Sequence, residues 1–272
     1  MSILHKHVPS FIENDILVIN TQPFYSELLN FLTNYTKYIR KKNSLENTQY
    51  NLLPFVYNTD IESELKFRRK SHSIVKQLLS GKKGLRVLEI SPWNAWLTPL
   101  LCENNNSVVA IDYFDDEVNG LQTKKHHSHP KWTAIQCDLE NPEFFDCEFD
   151  LIVFNHNIQF FVNPIETIKK YSKLLSKNGQ IILLGLGIFK NHGHKEKQVE
   201  TLKKQYQTQH GVNLFFRPCK GYLNSVDKTS LQKQGFVFQR YPVNLFKRLI
   251  PLFLPHKPKF YFAYFEKQSE SL

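Results

Sequence analysis

Residues 87–98 read VLEISPWNAWLT. The first four are an apolar run broken by one acid, Glu89, at the point where a buried strand would end. Ser91, Pro92 and Asn94 are turn formers. The alternation then changes, and residues 95–104, AWLTPLLCEN, have the apolar spacing of a helix. A strand, a tight turn and a helix start bring backbone N–H groups to one point, where they can hold a ligand.

Outward from this stretch the pattern repeats. The apolar runs SVVAID (107–112), KWTAIQCD (131–138), FDLIVFN (149–155) and QIILLGLGIF (180–189) alternate with polar or helix-patterned segments, among them 162–177, a helix predicted to end at Asn178-Gly179. Continuous apolar strands between amphipathic helices predict a mostly parallel sheet with helices on both faces. The last run, KFYFAYFEK (259–267), follows a short helix and a Gly235 turn, and predicts an antiparallel final strand. The fold class expected is therefore α/β and Rossmann-like. Such a sheet binds its ligand at the carboxyl ends of its strands, where strand order reverses.

Residues 1–80 carry two helix patterns, about 22–41 and from Thr59 or Asp60 to Gly81, and no convincing strand pair. They read as a helical N-terminal extension or cap. Residues 81–272 read as one domain with an insert at 188–225, which includes the Lys- and His-rich stretch 190–210 as an exposed helix or lid.

The strand ends carry the candidate chemistry. Glu89 is placed to bind an amine, and Asp112 to accept hydrogen bonds from two ribose hydroxyls. Asp138 is placed to meet an adenine amino group, with Leu139 against the ring. Asn155, His156 and Asn157 stand at the mouth of the fourth strand. One acid at a strand end is an ordinary cap. Glu89, Asp112, Asp138 and Asn155 at four successive strand ends predict an adenosine-type pocket.

The stretch resembles the core of class I, Rossmann-like S-adenosylmethionine-dependent methyltransferases, of the small-molecule and quinone type. VLEISPWNAWLT is similar to the family's first motif and SVVAID to its second. IQCDLENPEFFDCEFDLIVFN (135–155) is similar to the third and fourth, and FVNPIETIKKYSKLLSKNGQIILLG (161–185) to the helix, glycine turn and fifth strand. The likeness covers about 86–187 well and 222–267 loosely. It implies S-adenosylmethionine as cofactor, held by Glu89, Ser91, Trp93, Asn94, Ala95, Asp112, Tyr113, Asp138, Leu139 and Asn155. His156 is the candidate general base. The chain departs from the family at Ser91, Trp93 and Ala95, where the first motif usually carries glycine. Trp93 either points away from the pocket, stacks on the ligand or blocks the pocket. Blockage would leave a binding or scaffold protein.

Composition narrows the partners. The net charge is +10, and residues 186–272 hold fifteen Lys/Arg against five Asp/Glu, so the whole excess lies in that third. An anionic small-molecule acceptor is expected, or contact with a membrane or other anionic surface. RNA binding is the lesser expectation, and a nicotinamide oxidoreductase fits the later motifs less well. Four cysteines without a CxxC pair and histidines in polar loops predict no metal site. With no signal-peptide pattern and no long apolar run, a cytoplasmic location is expected.

Overall fold

The structure is a computed structural model that describes residues 3–39, 45–57, 59–128, 132–242 and 257–268. The chain opens with a hairpin, β1 (Ser10–Glu13) and β2 (Ile16–Ile19), before helix α1 (Phe24–Asn34). Helix α2 (Glu62–Leu78) leads into β3 (Arg86–Ile90) and the four-residue α3 (Thr98–Leu101). Then come β4 (Ser107–Asp112), β5 (Trp132–Gln136), β6 (Phe149–Phe154), α4 (Pro164–Ser172) and the long β7 (Leu175–Phe189). The remainder is α5 (Gly193–His210), β8 (Leu223–Asn224), α6 (Ser225–Lys233), β9 (Val237–Arg240) and β10 (Lys259–Glu266).

These strands form one sheet in the order β1-β2-β5-β4-β3-β6-β7-β10-β9, with β8 beside β7. From β2 to β7 every neighbour is parallel. The final strand β10 runs antiparallel to β7, as the sequence predicts. Strand order reverses between β3 and β6, so the crevice for a ligand opens above Ile90 and Phe154.

Alternation along the strands divides the core. Leu88, Ile90, Ile111, Ile152 and Leu183 pack with Ile168 and Tyr171 of α4 and Leu231 of α6. Val87, Ala110, Val153 and Leu184 pack on the other face with Leu65 and Val75 of α2 and Leu97 to Leu101 around α3. Each such aliphatic side chain, buried fully, contributes about 1.5–3 kcal/mol. Helices therefore cover both faces, and the Rossmann-like α/β architecture is present.

The all-helical reading of residues 1–80 is corrected. Ile16–Ile19 is a buried strand, paired in parallel with β5 through Leu17 and Val18. Its hairpin turns on Asn14 and Asp15, both at positive φ (49° and 62°), a two-residue turn that these side chains tolerate. Two predicted helices are shorter than expected. Ala95 is left-handed, so α3 begins only at Thr98, with Pro99 in its first turn. The 162–177 helix ends at Ser172, because Leu175 already pairs with Phe149 in the sheet.

Gly185 in β7 sits at φ +69°, and a Cβ there would lie 2.5 Å from His156 Cγ. Gly185→Ala is expected to destabilise the protein by about 2–4 kcal/mol in urea denaturation, through backbone strain and overpacking together. In a His156→Ala background the same change should cost clearly less. An equal cost in both backgrounds would show that the clash is not the cause.

Candidate functional site

The site is built on the turn between β3 and α3. Ser91, Trp93 and Ala95 have φ values of 56°, 55° and 55°. The backbone therefore keeps the left-handed conformation that glycine favours, at each position where glycine is missing. An L-residue there costs roughly 1–2 kcal/mol. Hydrogen bonds hold the turn in place. The Ser91 N–H donates to the Ile111 carbonyl at 2.8 Å, and the Ala95 N–H to that of Pro92 at 3.1 Å. On the far side Asn155 N–H and Asn157 Nδ2 both donate to the Ile90 carbonyl.

Asp112 closes the end of β4. Its carboxylate accepts the N–H groups of Tyr113 (2.7 Å) and Phe114 (3.2 Å), and the Trp93 N–H adds to them. Burial nevertheless pushes it up to about 7. Glu89 is fully buried and takes Thr98 Oγ1 at 2.6 Å and Asn155 Nδ2 at 2.7 Å. Burial pushes it also to about 7, against the pull of those two donors.

A cavity of about 300 Å³ opens above these strand ends. Its polar floor is Ser91, Asp112 and Asn157, with Leu139 and Tyr113 beside them. Asn157 Oδ1 is buried without a hydrogen-bond partner, as is Asn155 Oδ1 close by. Such atoms are costly to bury unless a ligand donates to them. The roof is aromatic: Phe31 and Tyr35 from the first helical segment, Phe160, and Phe215 and Phe216 from the loop after α5. Asp138 lies at the rim, where it accepts from Asn141 Nδ2 and the Tyr113 hydroxyl and faces Arg217 at 3.6 Å.

The structure thus brings Ser91, Asp112, Tyr113 and Leu139 to the cavity wall, with Asp138 at its edge. Glu89, Asn94, Ala95 and Asn155 stand behind it as buried supports. Trp93 is not among the lining residues. Its indole lies under the Arg68 guanidinium of α2, 3.3 Å from the ring centre. His156 does not reach the cavity either. It is held at φ 61°, its Nε2 takes up the Ser71 hydroxyl at 2.9 Å, and Ser71 meets Tyr241 at 2.7 Å. Phe67 and Trp96 present their edges or faces to its ring. Burial and then the Arg68 charge lower it to about 3, so it is a neutral and weak base near pH 7.

Sequence reasoning overlooked Arg68, Arg217 and the aromatic roof. Arg68 Nη1 is shielded from solvent and unpaired, and burial lowers the guanidinium to about 9. Only a distant helix brings it to the turn, so no local motif marks it. Among the described residues no group of three His, Cys, Asp or Glu is placed for a metal, and no helix is long and apolar enough to cross a membrane. His129 lies outside the described residues, as does most of 247–258 in the Lys- and aromatic-rich stretch.

The profile of a family described as a methyltransferase domain matches residues 88–183. No curated protein sequence matches the chain. Solved structures are similar at the level of the fold. A chain of the Haloferax volcanii complex between the Trm112 methyltransferase activator and a methyltransferase is 9% identical, with TM-score 0.50, over 85% of this chain and 100% of that one. The N-methyltransferase NodS of Bradyrhizobium japonicum, solved with S-adenosyl-L-homocysteine, is 16% identical, with TM-score 0.47, over 82% and 100%. The arsenic(III) S-adenosylmethionine methyltransferase of Chlamydomonas reinhardtii is 14% identical, with TM-score 0.45. That match covers 70% of this chain, which spans 65% of the length of that one.

The buried carboxylate of Glu89 makes a pH test. Its folded value, about 7, lies above the unfolded one near 4.5, so its favourable contribution is complete below pH 4.5 and is lost as pH rises through 7. Relative to Glu89→Gln, the wild type should lose about 3 kcal/mol of stability between pH 4.5 and 7.5, read from urea midpoints. Parallel curves for the two proteins would contradict the raised value.

Proposed function

We infer, for a chain that belongs through residues 88–183 to the Rossmann-like S-adenosylmethionine-dependent methyltransferase family, that the cavity above β3, β4 and β6 holds the cofactor and that the protein methylates a small acceptor. The observation that carries this reading is the left-handed turn. Three non-glycine residues keep the backbone path of a glycine-rich loop, and the polar floor it borders is open. A chain that no longer used the cavity would have no reason to hold this strain.

The residues fit an adenosyl ligand. Asp112 has accepting capacity left for a ribose hydroxyl, since an ionised carboxylate offers roughly four lone-pair sites and three backbone donors are present. Asn157 Oδ1 accepts a further donor, Leu139 and Tyr113 flank the base, and Asp138 stands at the rim for an amino group. Arg68 stays outside the cavity lining, buried on the Trp93 ring behind the turn. Bound in the cavity, the cofactor would supply an electrophilic methyl group to an acceptor nucleophile that the chain aligns with it.

The chain's own contribution is placement. Among the described residues no histidine lines the cavity, and His156 is buried away from it and held neutral. The aromatic roof excludes water, and alignment replaces a dedicated base. The acceptor is a small molecule, sugar or lipid, and the basic residues of 186–272 favour an anionic one. The scaffold alternative required Trp93 to fill the pocket, and the packing of its ring on Arg68 favours the enzyme reading.

Calorimetric titration with S-adenosylmethionine and S-adenosylhomocysteine tests this reading, and both should bind. Asp112→Ala should weaken S-adenosylmethionine by about 10–100-fold, the loss of a charged hydrogen bond. Trp93→Gly should leave the affinity within about threefold, because side chains beyond the ligand contribute little. Silence from the wild type with binding restored by Trp93→Gly would instead establish the closed-pocket scaffold.

A further inference from the structure

Beside the cofactor cavity lies a second one of about 470 Å³, and the two share a wall, Leu214 to Arg217. Its other side is the last two turns of α5, with Lys203, Lys204 and Gln207. The helix is an unusual neighbour. Of its eighteen residues only Val199 is buried. Lys203 is engaged with Glu200 at 2.9 Å, its Nζ 5.9 Å from the Phe215 ring centre. Lys204 is exposed, and among the described residues no carboxylate pairs with it. Among the described residues no acidic side chain lines this basin.

The shared wall is apolar and aromatic. Phe216 packs on Phe31 at 5.3 Å and Tyr113 at 4.9 Å, and Phe215 on Phe160 at 5.6 Å. Arg217 anchors it through Glu27 of α1 at 3.0 Å and Asp138 at 3.6 Å. The roof is thereby held over the cofactor's floor while its outer side faces the lysines. The arrangement is amphiphilic, with an aromatic surface that continues into a cationic basin.

We propose that this basin and wall bind the acceptor, and that the acceptor is an anionic amphiphile: an apolar or aromatic body carrying a phosphate, sulfate or carboxylate. The body lies along Phe215 and Phe216 toward the cofactor cavity, and the anionic group meets Lys203 and Lys204. A neutral polar acceptor would leave the aromatic wall without a partner. A cation would be repelled by Lys204, with which no described carboxylate pairs. The proposal rests on the methyltransferase reading, since it places the acceptor beside that cofactor.

The test uses the full chain saturated with S-adenosylhomocysteine. Octyl phosphate, octyl glucoside and octyltrimethylammonium, all below their micelle concentrations, are titrated calorimetrically. Octyl phosphate should bind roughly tenfold more tightly than the glucoside, and the cation least. In Lys203→Gln/Lys204→Gln this advantage should shrink to about threefold or less, with homocysteine-ligand affinity unchanged. Equal affinities for the three probes, or an anion preference that survives in the double variant, would overturn the proposal. Tighter binding of a uridine oligonucleotide than of octyl phosphate would overturn it in favour of RNA. If S-adenosylhomocysteine does not bind, the methyltransferase reading fails. The probes titrated into the ligand-free protein then report on the basin separately.

Discussion

Between Ile90 and Thr98 the backbone turns left-handed three times without a glycine, and the rest of the site depends on how that turn is held. The conformation costs a few kcal/mol in all. It is offset by contacts on every side. Ile111 and Pro92 accept its N–H groups, Asp112 takes the Trp93 N–H, and α2 covers the Trp93 ring with Arg68. Trp96 and Leu97 then fasten the chain into the core beneath. A side chain as large as Trp93 is tolerated because the turn sends it toward α2 and away from the ligand. The same residue that contradicts the family's sequence pattern also recruits a cation to the edge of the loop.

The electrostatics follow from this burial. Glu89, Asp112 and His156 all sit where water is scarce, and each is pushed toward its neutral form. Such a site is poor in charged bases. It suits a reaction in which the electrophile is already activated and the protein needs to align and desolvate. Glu89 does not line the cavity above these strand ends. Its two hydrogen bonds tie the start of α3 to the end of β6, and so fix the two strand ends between which the ligand space opens.

The central sheet was legible because buried parallel strands are continuous apolar runs, and β3, β4, β5 and β6 fall within one or two residues of those runs. The acids at their ends were legible for the same reason, since topology alone carries a strand end to the crevice. What the sequence concealed is non-local. The strand Ile16–Ile19 is four residues long and indistinguishable from a helix fragment until β5 is seen beside it. The Asn14-Asp15 turn was the one available signal. His156 looked like a base at a strand mouth. Its φ of 61° and the space left by Gly185 turn it inward, and neither can be read from a single residue's neighbours.

The first eighty residues are not a detachable cap. β2 extends the sheet, and α2 supplies Leu65 and Val75 to one face of its core. The segment after α1 lends Tyr35 to the cavity roof, where its ring stacks near Phe114 at 4.6 Å. Glu27 of α1 holds Arg217, and Arg217 holds the loop that separates the two cavities. The N-terminal segment and the α5 insert therefore meet across the site, one from before the matched core and one from after it. Neither matches the family profile, which stops at residues 88–183. The matched core and the cavity walls that these two segments contribute are thus separate parts of the chain. Their chemistry is aromatic on one side and basic on the other.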